Sequence, residues 1–300
     1  ITYLKTTKMG NSSYSIQDRV TRSDFNQYKT KSVNQIFEQN NKGTTHEQMS
    51  PNGLLFRESR DSEAHPNSIP VQLYLDVTGS MGHIPHEMIK DGLPTLMSSM
   101  IENGVPDVAL MFGAIGDHEA DRYPLQVAQF ESGDAELDMW LTRTYIEGNG
   151  GGNGGESYLL AWYFAANHVR TDAQDKRGEK GFVFTIGDEP CLKSLPMSAV
   201  KGIMGSTAKG QGTYSMQELL TLAQNSNHVY HIHVNHGRSC DPLWKEVLGT
   251  NLVEVTDYTK ISRVISDIII SHTKSSSNKV QTPTVAVEEE LNGVLETNLL

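Results

Sequence analysis

Cysteine is scarce: Cys191 and Cys240 are the only two in 300 residues. Two thiols cannot build a disulfide framework, so the fold must rest on a packed core, and a reducing, intracellular setting is the natural expectation. The N-terminal stretch lacks the apolar centre of a secretory signal. No apolar run approaches the ~18 residues that a membrane helix needs, so no membrane contact is expected. Positive charge is also in deficit. With 25 Lys and Arg against 36 Asp and Glu, the formal net charge is -11. This argues against the basic face by which proteins hold nucleic acid. Acidic partners are disfavoured for the same reason, unless a bound cation intervenes. The glycine-rich run "EGNGGGNGGESYL" lacks the Gly-Lys-Ser/Thr of a phosphate-binding loop and reads as a mobile rim rather than a nucleotide cradle.

What is present points to one large domain with extensions. A hydrophobic content of 37% over 300 residues can bury a sizeable core. Residues 1–70 are rich in Asn, Gln, Ser, Thr and Lys and show no sustained apolar period. They form a polar N-terminal arm that is expected to wrap a core or an assembly partner. From 71 to 272, strand-like runs alternate with helical patterns, the signature of an α/β domain with a doubly wound, mainly parallel six-stranded sheet flanked by helices. Strands are predicted at 71–75, 108–115, 125–130, 182–186, 228–234 and 252–255. Between the first two, Ile84, Met88, Ile89, Leu93, Leu96, Met97, Met100 and Ile101 recur at helical spacing, with Pro94 predicting a kink or break. Further helices are predicted at 135–145, 156–168, 214–224 and 260–272. The third strand follows the second too soon for a helical crossover, so it should be antiparallel to its neighbour. Residues 273–300 read as a linker, "TKSSSNKVQTPT", and a C-terminal tail that is either solvated or a short docking helix.

The stretch "YLDVTGSMG" sits where the first strand turns into a helix. Ligands of open α/β sheets bind outside the carboxyl ends of the strands, near the point where strand order reverses. Asp76, Thr78 and Ser80 at i, i+2 and i+4 can turn three oxygens towards one point, while Gly79 and Gly82 permit the sharp backbone. Hard oxygen donors carrying little charge suit Mg²⁺ or Mn²⁺, whereas the loop has no thiolate or imidazole for zinc. Read alone, the same residues also make an ordinary turn.

These residues resemble the metal-ion-dependent adhesion site of von Willebrand factor type A domains, built on Asp-x-Ser-x-Ser at this place in the fold. Thr78 stands for the first serine, and the similarity extends over about residues 71–270. "RESRDSEAHPNSIPVQLYLDVTGSMG", "ESYLLAWYFAA" and "TIGDEP" resemble a bacterial and phage subset of that family without an assigned function. The resemblance implies that Asp76, Thr78 and Ser80 are joined by Asp188 in "FTIGDEP". The family places a threonine after paired glycines in its second loop; here Glu156 or Ser157 stands nearest, which leaves the fourth ligand open. Glu156 would add charge and bind the ion more tightly, unless it merely caps a helix N-terminus. Asp117, in "AIGDHEA", is expected to support the site without touching the ion.

Histidines offer a second cluster, with His231, His233, His236 and Cys240 in "HIHVNHGRSC". This is zinc-capable chemistry, but the spacing matches no compact zinc motif, and histidines beside a buried strand are usually structural. His83, His86 and His118 lie near the expected metal mouth by sequence position. The resemblance implies a protein-binding module, not an enzyme, that engages an Asp or Glu of a protein partner through Mg²⁺ or Mn²⁺. The cation would reverse the local field of an acidic chain. The alternative is a structural component of a large assembly such as a phage particle, with the metal only stabilising. A metal-dependent phosphohydrolase with Asp76 as nucleophile is a weaker third reading, since Thr78 stands where a second Asp would be needed. Location follows as cytoplasmic or virion-associated.

Overall fold

The computed structural model describes residues 12–148, 154–235 and 240–280. Ten strands occur among them: β1 Arg57–Ser59, β2 Ile69–Asp76, β3 Val108–Ile115, β4 Leu125–Val127, β5 Val169–Thr171, β6 Gly181–Gly187, β7 Ser194–Pro196, β8 Thr213–Ser215, β9 Asn227–Val234 and β10 Leu252–Val255. Six of them form one mixed sheet in the order β10-β9-β6-β2-β3-β4, parallel throughout except for β3 against β4. Helices cover both faces. Leu93–Glu102 packs with Ile261–Val280, and Leu159–Asn167 packs with Met216–Gln224. The strands between them are buried along almost their whole length, which is why they read as continuous apolar runs rather than as alternations.

Numbered along the sheet's own chain order, the strands run third, second, first, fourth, fifth, sixth, a Rossmann-like α/β topology. The order reverses between β2 and β6. The carboxyl ends of those two strands, Asp76 and Gly187, therefore flank the switch point.

Several elements differ from the sequence prediction, each for a local reason. β4 stops at Val127, because Gln129 turns its side chain to the Phe130 N–H and interrupts the ladder before Glu131 pairs again with Leu110. The long helix after β2 is broken into Ile84–Glu87, a π-helical turn Met88–Gly92 and Leu93–Glu102. Pro94 lacks an N–H and crowds the preceding turn, so the break falls just before it. Helix Leu159–Asn167 starts three residues later than predicted, since Glu156 is held in an extended bridge to Cys191. The last helix continues to Val280, past residue 272 where composition suggests a linker. Two small sheets, β1 with β5 and β7 with β8, were not anticipated.

The arm carries the helices Ile16–Asn26, Val33–Ile36 and Glu38–Lys42. Tyr14, Tyr28, Ile36, Phe37 and Met49 from it join the same apolar core as the sheet. Arg19 is 1% exposed and reaches Asp138 at 2.6 Å and Asp134 at 3.4 Å. It also donates to the carbonyl of Ile89, inside the π-helical turn. The acidic tail beyond residue 280 lies outside the described residues, as does much of the glycine-rich rim.

Candidate functional site

Asp76 ends β2 and is fully buried. Its Oδ1 accepts from the Thr78 N–H at 2.9 Å and from the Thr78 hydroxyl at 2.6 Å, closing a tight turn directly after the strand. Its Oδ2 accepts from the Tyr158 hydroxyl at 2.7 Å. Two residues on, Ser80 is exposed, and its hydroxyl donates to Asp188 Oδ1 at 2.9 Å. The first loop is thus tied by oxygens to the end of β6, across the switch point. Gly187 makes this possible: a Cβ there would lie 1.8 Å from the Tyr158 oxygen, so any side chain would push the tyrosine off Asp76.

A second group of oxygens lies behind the first. Ser157 Oγ accepts from the His118 N–H at 2.9 Å, stands 2.7 Å from His118 Nδ1 and 3.5 Å from Asp117 Oδ1. Asp117 is fully buried at the end of β3, and its Oδ1 accepts from the Glu119 N–H. Glu156 is 4% exposed, and neither its Oε2 nor Asp117 Oδ2 has a hydrogen-bond partner among the described residues. Its backbone is pinned on both sides, the N–H to Pro190 and the carbonyl to Leu192. Glu156 therefore does not cap a helix; the side chain is set by an extended strand-like contact.

Burial and like charge dominate the electrostatics. Burial pushes the Asp76 carboxyl up to about 6, against the pull of Thr78 and Tyr158 hydrogen bonds and with a further push from Asp188. Glu156 is raised to about 9, by burial first and then by Asp76, Asp121, Asp117 and Glu189. Asp121 is raised by burial as well. The charged groups that act on Glu156 among the described residues are all carboxylates, so its surroundings concentrate negative potential. Among the described residues, no three His, Cys, Asp or Glu side chains converge closely enough to hold a metal ion. Any ion here would have to use hydroxyls as well as carboxylates.

The residues singled out in the sequence fall into two linked sets. Direct hydrogen bonds join Asp76 to Thr78 and Ser80 to Asp188; Ser157 reaches both Asp117 and His118, with Glu156 coupled to Asp76 and Asp117 by charge. Tyr158 was missed. It lies 82 positions from Asp76, and only its place beside Glu156 and Ser157 could have drawn attention to it. Of the histidine cluster, His231 has a structural explanation, whereas His233 is buried with neither ring nitrogen hydrogen-bonded among the described residues. His231 is fully buried, stacks on Trp244 at 3.8 Å and meets Thr185 Oγ1 at 2.9 Å. His236 lies outside the described residues. His86 sits on the helix after the first loop, its Nε2 3.3 Å from the Lys31 carbonyl. No helix among the described residues is long and apolar enough to cross a membrane.

No protein-family model matches the chain. No curated protein matches it either. Among solved structures it bears a distant similarity to the pilus adhesin SpaC from Lactobacillus rhamnosus GG. Against the open conformation the TM-score is 0.45 at 9% identity, covering 72% of this chain and 31% of the adhesin. Against a second form of the same adhesin the TM-score is 0.46 at 11% identity, covering 72% and 32%. The chain spans about a third of the adhesin's length.

Proposed function

We propose that the chain is a metal-dependent protein-binding module of the von Willebrand factor type A kind, an adhesion or adaptor domain that engages a partner's Asp or Glu through Mg²⁺ or Mn²⁺. The observation that carries this reading is the Ser80–Asp188 hydrogen bond at 2.9 Å, which with the Asp76–Thr78 turn gathers hydroxyl and carboxylate oxygens from two strand ends at the switch point. The donor set is all hard oxygen, as Mg²⁺ and Mn²⁺ require. The orphaned Oε2 of Glu156 and Oδ2 of Asp117, both buried, are what a nearby cation would compensate.

In this reading Thr78 and Ser80 offer hydroxyl ligands, Asp76 and Asp188 orient them and balance charge, and Glu156 or Ser157 closes the set from the second loop. Asp117 and Tyr158 act as positioning residues: Asp117 steers Ser157 and His118, and Tyr158 holds Asp76 Oδ2. Bound there, the cation supplies an open coordination position for a carboxylate that the chain itself would repel. A nucleophilic role for Asp76 is less well supported, because both its oxygens are engaged and the residue is fully buried.

A second reading, a scaffold component of a large assembly, draws on the arm. A buried arginine network is a structural investment outside any ligand site, and here it fastens the arm to the domain. Affinity capture from native lysate, run in Mg²⁺ and in EDTA with Asp76→Ala as control, separates the two. A partner retained only by the wild type in Mg²⁺ fits the metal-bridged reading. Partners retained equally in all conditions would sink it in favour of the scaffold.

A further inference from the structure

Between the short arm helices Val33–Ile36 and Glu38–Lys42 lies a groove of about 490 Å³ lined by Lys31, Asn34, Gln35, Glu38, Asn41 and Lys42. The arm around it is bonded to segments that flank both loops of the candidate site. The Lys31 carbonyl is 3.3 Å from Nε2 of His86, on the helix that leaves the first loop. On the other side, Asn40 Oδ1 accepts from the Ile146 N–H at 2.9 Å, and Ile146 Cγ2 lies 3.0 Å from where a Cβ on Gly82 would stand. The arm thus meets the helix that follows the Asp76 loop and the segment leading into the glycine-rich loop.

The groove's own hydrogen bonds decide what it has left to offer. Asn34 spends its Oδ1 on Asn40 and its carbonyl on Asn41, and Gln35 spends its Oε1 on Ser32. These acceptors are therefore spent inside the arm, which leaves the Asn41 Oδ1 and the Glu38 carboxylate as the groove's remaining side-chain acceptors. The Asn34 and Gln35 amide NH₂ groups make no hydrogen bond among the described residues, and Lys31 and Lys42 make no ion pair there. Two ammonium groups and two amide donors remain, against one carboxylate, Glu38. In a chain of net charge -11, this is a local reversal of sign.

We propose that this groove seats the acidic flank of the partner segment whose Asp or Glu reaches the Asp76–Asp188 site. The ligand class is an extended peptide carrying additional Asp or Glu on one side of the coordinating residue. Its carboxylates would meet Lys31 and Lys42, and its backbone carbonyls the amides of Asn34 and Gln35. The proposal rests on the metal-dependent reading above. It adds that specificity is read by the arm, while the metal loop supplies the anchor common to any carboxylate.

The test is a displayed library of short random peptides around a fixed Asp, selected on the full chain in Mg²⁺. The selected pool should be enriched in Asp and Glu on one flank. A synthetic peptide from it should bind the Lys31→Ala/Lys42→Ala variant about tenfold more weakly, a loss of about 1.4 kcal/mol. Mn²⁺ affinity of that variant should be unchanged. A pool with unbiased flanks, a library that yields no Mg²⁺-dependent binder, or a peptide indifferent to both lysines would overturn the proposal. Failure of the metal reading has its own signature: the same peptide would bind Asp76→Ala as well as the wild type while still losing affinity with the lysines.

Discussion

Two regions of this molecule bury carboxylates, and they do so in opposite ways. Around β5, Asp172 accepts from Arg60 at 2.7 Å and from Lys176 at 2.7 Å, while Asp61 pairs with Arg177 at 2.7 Å. Burial alone would raise the Asp172 carboxyl, but Lys176, the Asp61 N–H and Arg60 outweigh it and hold the group at about 2. The arm repeats the pattern with Arg19 and Arg22 on Asp134 and Asp138, and Tyr28 donates to Asp138 as well. At the strand ends Asp76, Asp117, Glu156 and Asp188 have no ion-pair partner among the described residues, and Glu156 rises to about 9. One sequence thus pairs its buried acids with arginine and lysine in two places and, among the described residues, does not do so at a third. The metal-dependent reading proposed above puts a cation at that place, and the contrast between the two regions is what it has to explain.

The largest effect should come from breaking the neutralised side. Arg19→Ala leaves Asp138 and part of Asp134 buried without their cation, and is expected to destabilise the fold by about 3 kcal/mol, read from the urea midpoint. A shift below about 0.5 kcal/mol would mean that these acids do not need the arm, and the contrast would fail.

On the unneutralised side the sign reverses. Between pH 4.5, the ordinary value, and about 9, folded Glu156 stays protonated while the unfolded chain ionises, so stability falls as pH rises through that window. Glu156→Gln removes this slope and should stabilise the protein in EDTA at neutral pH by about 1–2 kcal/mol after screening by water and relaxation. Destabilisation by the same substitution would show that Glu156 already has a compensating partner.

Glu131 gives the smallest effect and an internal control. It lies away from the strand-end cluster and accepts from Trp140 Nε1 at 3.3 Å; burial raises it to about 7. Stability should fall from pH 4.5 to about 7 and then level off, and Glu131→Gln should flatten that part of the curve by about 1 kcal/mol with no change in metal response. An altered metal response would tie Glu131 to the site after all.

Much of this arrangement was legible in the chain itself. The apolar runs that become β2, β3, β6 and β9 are fully buried strands, and their ends place Asp76, Asp117 and Asp188 without any knowledge of packing. Local chemistry also placed the Asp76–Thr78 turn. What composition could not supply was long-range pairing. The Tyr158–Asp76 bond spans 82 positions and needs Gly187 bare between them. The displaced start of helix Leu159–Asn167 depends on Glu156 meeting the segment 190–192, which no helical period records. The arm's polar composition pointed to a segment that wraps a core, as it does, but it could not name the anchor: Arg19 is buried by acids more than a hundred positions away. Likewise, Ser and Lys after residue 272 suggest a linker, yet they extend a helix whose apolar stripe has already docked.

The most direct test of the central claim is a Mn²⁺ titration followed by electron paramagnetic resonance, on the wild type, Asp76→Asn, Asp188→Asn and Ser80→Ala. The account predicts one bound ion in the wild type, displaced by Mg²⁺, with affinity reduced at least tenfold in each variant and the fold retained by circular dichroism. Wild-type protein that leaves all Mn²⁺ in solution, or variants that bind it as tightly, would contradict a metal site at the junction of the Asp76 loop and Asp188.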